Sequence, residues 1–464
     1  MTKEKVLTSL HYLLILLCGL GAFYLSCNIV LFSKTPSANF ELWQIIIVAI
    51  LVLGLFATLI TINIKRKLYK PNYVVIGLIS ILFIINMINV LLYKNDTIYN
   101  FISANKETNY SVTMAFSTSD KAVAIISFLG TMLGALLLFD IIHQVSDLKT
   151  VIKYLCFVII AAAIVFIIIG LVRFPNRYFL LYKHLTDEQL YHASIPSIFE
   201  TKNEYGLVLY LAVLAGIYLH YFYRKWYWLL GSFYAYVNIV HTLSKQMIII
   251  GALTMMAYLI CIFFTTFKKH KKMNVIALAS IGGIILLAIV AGIIYLSVTN
   301  KFQALVDTIY YTKGNDTFKT RIYIWDKTLT ILNANNWGTG VGHILFGEVL
   351  HKLNLTDITS GEAAARYSAH SAYLQYIGEG GIVFLLAELI VIGYSFYLGI
   401  KFFKQDKELV VLSLSVIALF LVIMFFESAS IGFAFTLDYA VITLFTISVI
   451  IDLARKNNKI FLYK

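Results

Sequence analysis

Charge is what this chain has least of. Of its 464 residues, 13% are Asp, Glu, Lys or Arg and 60% are hydrophobic, against about 25% charged in ordinary globular proteins. So small a supply cannot solvate the surface of a soluble protein of this size, and that class is excluded. Cysteine is scarce as well. Cys18, Cys27, Cys156 and Cys261 all lie inside apolar runs, where they act as small hydrophobes and frame neither a disulfide set nor a metal site. No sequence repeat relates the two halves, which counts against an inverted-repeat transporter. No soluble domain is expected at either end. The apolar run after Lys5 lacks a small-residue cleavage site, because Phe23, Tyr24 and Leu25 fill that stretch, so it reads as a retained first helix.

What is present is apolar sequence in long blocks. They fall at 10–32, 42–64, 73–93, 121–143, 152–172, 203–222, 227–243, 247–266, 274–298, 371–400, 409–427 and 436–453. Most reach the roughly 18–20 residues that a helix needs to cross about 30 Å of hydrocarbon. They are continuous, where the strands of a membrane β-barrel alternate. The expected fold class is all-α: a polytopic integral membrane protein with about twelve transmembrane helices, a single membrane domain over 1–464.

The net charge is +13. Basic residues gather in alternate connections: Lys65-Arg66-Lys67, Arg224-Lys225, Lys268 to Lys272, Lys401 with Lys404, and Arg455-Lys456. The positive-inside rule makes that face cytoplasmic, with both termini on it. This pattern accounts for the basic balance, and no nucleic-acid partner is expected. Ser244-Lys245-Gln246 separates two blocks and reads as a tight hairpin with Lys245 at its outer tip, because only then does 268–272 fall inside. The opposite face receives the long connections 94–120, 173–202 and 299–370. Loops beyond ~12–15 residues are usually functional or disordered, so the working surface is expected to be extracytoplasmic, away from the ATP and NAD pools.

The polar island from Arg321 to Phe384 holds most of the candidate chemistry. Arg321 and Trp325, four apart, share one face of a helix. They read either as a cation–π pair or as an arginine whose planar fork is offered to a phosphate. Gly338, Gly340 and Gly342 do not form a nucleotide loop, since no βαβ strand precedes them and no Lys-Ser/Thr follows. They read as a turn needing positive φ or close backbone approach. His370 begins the next apolar helix, followed by Ser371. A neutral imidazole near pH 7 can take a proton from a hydroxyl nucleophile, although an interfacial histidine is more often structural. His343 and His351 read as ordinary loop residues with no zinc spacing. Arg173, Arg177, Lys202, Lys245 and Arg366 add cations to the face that should be poor in them, which a polyanionic ligand would explain. Asn203 opens a membrane helix beside Lys202.

Taken in order, these features resemble the O-antigen ligase and O-antigen polymerase family over roughly 195–400. The residues carrying the resemblance are Lys202-Asn203-Glu-Tyr-Gly206, Thr242-Leu-Ser244-Lys245, Arg321 with Trp325, Gly338-x-Gly340-x-Gly342, and His370-Ser371 followed by Gly381-Ile-Val-Phe384. Three positions depart from the family pattern: Lys245 stands where arginine is usual, Ser371 where asparagine is usual, and Phe384 where a small aliphatic residue is usual.

The resemblance implies a multi-pass bacterial cell-membrane glycosyltransferase that uses a polyprenyl-diphosphate-linked donor, with no metal and no cofactor. Its substrate would be a lipid-linked oligosaccharide, and its partners membrane lipid, a flippase and a chain-length regulator. In that reading Arg321 and His370 are catalytic. Arg173, Arg177, Lys202, Asn203, Lys245, Arg366, Gly338, Gly340, Gly342 and Ser371 bind the diphosphate or substrate, with 299–370 forming part of the site. A capsule-type polymerase, extending one lipid-linked unit with another, is preferred. The alternatives are a ligase acting on a terminal lipid or protein, and a non-enzymatic transporter of lipid-linked glycan.

Overall fold

Apolar runs become helices in this chain, and the breaks between them follow local chemistry. The computed structural model describes residues 73–102, 109–125, 128, 148–178, 194–198, 202–269, 314–335, 337, 338, 340–356 and 368–425. Along these, α1 is Tyr73–Leu92, β1 Thr97–Ile102, β2 Asn109–Met114, α2 Leu148–Arg173, α3 Lys202–Tyr223 and α4 Tyr227–Thr242. They are followed by α5 Lys245–Lys269, α6 Gly314–Ala334, α7 Leu345–Thr356, α8 Ala372–Phe402 and α9 Lys407–Ile423. The blocks at 73–93, 152–172, 203–222, 227–243, 247–266, 371–400 and 409–427 each coincide with one helix. Those at 10–32, 42–64, 274–298 and 436–453, and most of 121–143, lie outside the described residues.

Among the described residues, four stretches are long and apolar enough to cross a membrane: Ile152–Arg173, Tyr205–Tyr223, Lys245–Phe263 and Ala372–Phe402. The chain is mostly helical and is a membrane protein. It is not purely helical, however: β1 and β2 form an antiparallel hairpin inside the 94–120 connection, with Tyr99 opposite Val112 and Phe101 opposite Tyr110. Tyr99, Phe101, Val112 and Met114 point inward while Ile98 and Ile102 are exposed, the period-two pattern of a half-buried strand pair.

The chain divides into two compact units. One comprises 1–151, 318–402 and 417–464; the other comprises 152–317 and 403–416.

In the second unit α3 is central. Of its membrane-length window 78% is buried, against 28% for that of α2 and 33% for that of α5. It packs on both α4 and α5. Close approach is set by small residues: a Cβ on Gly216 would lie 2.8 Å from the Trp228 carbonyl of α4, and one on Gly206 would lie 3.1 Å from Ser244 Cβ. Ser232 turns its hydroxyl onto the Val213 carbonyl at 3.0 Å. α4 stops because Leu243 adopts a left-handed φ of 57°. The Thr242 hydroxyl then accepts the Ser244 N–H at 3.1 Å, and α5 starts at once, so the tight hairpin expected here is present. α2 ends at Arg173 one residue before Phe174-Pro175, where a following proline disfavours helical backbone. At the far end of α3, Tyr221 bonds Asp406 and Arg224 pairs with Glu408.

In the first unit α1 lies against α8, and α7 contacts both β2 and α8. Ile81, Ile84, Ile88 and Leu91 face outward on one side of α1, while Asn86 is fully buried on the other. Buried polar groups cost free energy unless bonded, and the Asn86 side-chain carbonyl accepts the His343 N–H at 2.7 Å. The hairpin rests on α6: Tyr99 receives a hydrogen bond from Asn335 Nδ2 at 3.1 Å, and the buried Lys327 ammonium lies over the Phe101 ring at 5.6 Å.

Candidate active site

The Arg321–Trp325 helix exists as α6, with both side chains half-buried on one face. Trp325 Nε1–H donates to the Ala369 carbonyl at 3.0 Å. Arg321 stands four residues away along the same face, about 6 Å in rise. The residue next to Ala369 is His370. It holds a left-handed φ of 49°, a conformation that non-glycine residues seldom adopt and that points to a constrained position. Its ring is half-buried with Nδ1 inside. The structure thus ties the Trp325 side chain to the residue before His370, with Arg321 on the same face of α6.

α8 begins just beyond and is pinned at its start. Ser371 is buried, and its hydroxyl donates to the Met424 carbonyl at 3.3 Å. The Ala372 N–H uses the same carbonyl at 2.8 Å, and Tyr373 Oη–H reaches the Leu421 carbonyl at 2.8 Å. Ser371 therefore anchors the helix entrance.

Further along, Gly381 interrupts α8 with φ 71° and ψ −171°, a region open in practice to glycine alone. The kink frees the carbonyls of Gly378 and Glu379, which accept the N–H groups of Val341 and Gly342, each at 2.8 Å. The glycines at 340 and 342 have φ of 72° and 111°. A Cβ on Gly340 would sit 2.7 Å from the Gly381 nitrogen, and one on Gly342 would sit 2.6 Å from Val90 of α1. The close approach anticipated for this turn is an approach to the protein's own backbone. Gly380 has an analogous role, since its Cβ would meet the Phe384 ring at 2.0 Å. Phe384, large where the family pattern is small, stacks with Phe128 at 5.5 Å.

His343 is not an ordinary loop residue. It is buried between Phe128, whose ring centroid is 5.3 Å away, and Glu379, whose carboxylate meets its Nδ1 at 2.8 Å. Glu379 and Gln375, one helical turn apart on α8, are 3% and 8% exposed. Neither is a cation or a loop histidine, so neither carries the signals that mark the other candidates in the sequence. Their signal was Gln and Glu spaced by four inside a long apolar helix, a spacing that puts both on one face.

The second unit carries the other cations. Ser244 Oγ–H donates to Asn203 Oδ1 at 2.9 Å, which sets the first turns of α3 and α5 together. Lys202 and Lys245 are the first residues of those two helices. Helix N-termini and ammonium groups reinforce one another as anion-attracting features. Arg173 and Arg177 each use one Nη1–H to hold the 194–197 segment, on the Ser197 and Ser194 carbonyls at 2.9 and 2.8 Å. Burial draws Arg177 below its ordinary pKa, and its guanidinium lies 4.3 Å over the Phe174 ring. Arg366 lies outside the described residues.

α7 holds one further perturbed group. Burial, with Asp120 adding to it, pushes the Glu348 carboxyl from 4.5 up to about 7. A carboxyl raised on folding favours the protonated native state, so its contribution is complete below pH 4.5 and is lost as pH rises through about 7. Glu348→Gln is therefore expected to raise the melting temperature of the detergent-solubilised protein at pH 8 and to leave it unchanged near pH 4. An equal gain at both pH values would count against this assignment.

Comparison with known proteins bears on the family. Residues 230–389 match the sequence model of the family described as O-antigen ligase. The match supports assigning the chain to the O-antigen ligase and polymerase family. The matched region runs from α4 into α8 and contains Lys245, Arg321, the glycine turn, His343, His370, Gln375 and Glu379; Arg173, Arg177, Lys202 and Asn203 precede it. Members of the O-antigen ligase family are glycosyltransferase-like enzymes, and the match supports a function of the O-antigen ligase or polymerase type. Nothing matches among the curated proteins or among the solved structures.

Proposed function

We propose that the protein is a surface-polysaccharide polymerase of the bacterial cell membrane, with both termini cytoplasmic and its site on the outer face. It transfers a glycan from a polyprenyl diphosphate to the acceptor sugar of another lipid-linked unit. The acceptor hydroxyl attacks the anomeric carbon as the bond from that carbon to the diphosphate oxygen breaks. The hydroxyl proton passes to His370, and the diphosphate leaves as an anion. Arg321 neutralises the developing charge, because fixed charges in a water-poor site act strongly; Arg173, Arg177, Lys202, Asn203 and Lys245 of the second unit, and Arg366, are further candidates for binding the diphosphate or the lipid-linked substrate. Gly338, Gly340 and Gly342, with Ser371, frame the site. No metal or cofactor enters this scheme. A flippase and a chain-length regulator are the expected partners.

The observation carrying this reading is the Trp325–Ala369 hydrogen bond, which holds the Arg321 face of α6 beside His370. The ligase reading is favoured by the description of the matched family itself. Purified protein in vesicles, given lipid diphosphate-linked repeat units, tests both. Lengthened lipid-linked chains support the polymerase. Transfer only to an added terminal acceptor supports the ligase, and movement across the bilayer without new bonds overturns both.

Arg321→Lys keeps the charge and loses the two-pronged donor geometry. It is expected to lower kcat/KM by about 10–100-fold, the order of a lost charge-assisted bond in a site of this kind. Unchanged kcat/KM would sink the bidentate role.

A further inference from the structure

Between the glycine turn and the His370 segment runs a buried chain of hydrogen bonds that converges on the Glu379 carboxylate. The Ala369 N–H donates to Gln375 Oε1 at 3.0 Å. That bond orients the Gln375 amide, so its Nε2–H faces Glu379 and donates to Oε1 at 2.5 Å. Glu379 Oε2 meets His343 Nδ1 at 2.8 Å, and the His343 N–H ends the chain on Asn86 Oδ1 at 2.7 Å. Glu379 also offers its backbone carbonyl to Gly342 at 2.8 Å. At the other end, Ala369 is held from its carbonyl side by Trp325. One side-chain path thus ties α1, the glycine turn, α8, the His370 segment and α6, all within the first unit.

Such a path is more than packing would require. Gln375, Glu379, His343 and Asn86 are each at least nine-tenths buried, in a helical unit where apolar residues would fill the same volume without needing partners. Buried polar chains are costly when incomplete and specify one arrangement when complete. What this one holds is the Ser368–Ala369 peptide through its N–H; with the Ala369 carbonyl of the next peptide held by Trp325, Ala369 is fixed on both sides and sets how the chain enters His370, whose φ of 49° the chain would otherwise not favour.

We propose that Gln375 and Glu379 are positioning residues for His370: through the Ala369 N–H they fix the direction in which His370 presents its ring, and they take His343 and Asn86 as their far anchor. The inference rests on His370 acting on the acceptor. It concerns geometry alone: both side chains are buried and bonded within the protein.

The test uses full-length protein in vesicles. Gln375→Met keeps the length of the side chain but removes both links. It is expected to lower kcat at least about tenfold while KM for the lipid-linked donor stays within about twofold, the signature of lost alignment without lost binding. In protein labelled with 5-fluorotryptophan, the fluorine resonance of Trp325, assigned by Trp325→Phe, is expected to shift or broaden. The double variant Gln375→Glu with Glu379→Gln re-forms every link with the carboxylate moved one step. The carboxylate now at position 375 accepts from the Ala369 N–H and from the amide now at position 379, whose oxygen accepts from His343. It should restore both readouts. Should Gln375→Met fail to accumulate in the membrane, Gln375→Glu alone takes its place. There two carboxylates face one another, and the double variant should be the more active of the two.

An unchanged kcat and an unchanged Trp325 resonance in Gln375→Met overturn the proposal. So does a double variant as impaired as its single parent. His370→Ala in the same assay separates the two levels of the reading: full activity there removes the role of His370 itself, while the fluorine signal still reports whether the chain of bonds holds the segment.

Discussion

His370→Ala is expected to lower glycan transfer by about 10²–10⁴-fold, the range contributed by a positioned general base, with normal amounts of protein in the membrane. His370 already holds a left-handed φ of 49°, so alanine inherits a strain that histidine bears and adds little to it. Asn tolerates this conformation better than Ala, so His370→Asn preserves the loop more faithfully while removing the imidazole. Both variants should be equally inactive if the ring is a base. If His370→Asn kept wild-type polymer length and rate, the base role would be lost. Chain length on the lipid carrier, resolved by gel electrophoresis of extracts from a deletion strain carrying each variant, reads the outcome directly.

Gly340→Ala should have the largest effect on stability. At φ 72° an alanine pays the left-handed penalty, and its Cβ would fall 2.7 Å from the Gly381 nitrogen and 2.8 Å from both the Glu379 carbon and the Gly378 oxygen. All three are backbone atoms of the α8 kink, so no rotamer change relieves the overlap. Relief comes only by opening the bonds from Val341 and Gly342 to the Gly378 and Glu379 carbonyls. The combined cost is about 3 kcal/mol or more, enough to deplete the protein in membranes and to lower its melting temperature in detergent. Gly393→Ala is the matched control on the same helix. Its Cβ would meet nothing within 4 Å, and alanine is the better helix former, so no loss is expected. A Gly340→Ala protein as stable as wild type would mean that the turn does not sit against the kink.

Helices were legible in the chain because a bilayer demands it. With no water to satisfy peptide groups, an apolar run about twenty residues long has one stable form, and each described block became a helix. The hairpin was legible in principle and was missed. Thr97 to Ile102 and Asn109 to Met114 alternate large apolar and polar side chains in six-residue stretches, a signal to which a search for long apolar blocks is blind. The α6 face was legible from the four-residue spacing of Arg321 and Trp325, and so was the glycine turn, as a demand for close approach.

Sequence alone determined three things: that the chain is a helical membrane protein, that Arg321, Trp325, the glycines and His370 form a set, and which family the set resembles. These follow from local composition and spacing, which a bilayer and a helix convert directly into position. Tertiary structure decided how the set is packed. It joined the glycine turn to α8 through the Gly381 kink, turned Ser371 inward to the Met424 carbonyl, and moved His343 from the loop to the core opposite Glu379. Such pairings depend on which buried polar group meets which, across 36 residues from His343 to Glu379 and 257 from Asn86 to His343. No local pattern encodes a partner at that distance; only the closed fold, which leaves few buried donors and acceptors unsatisfied, selects it.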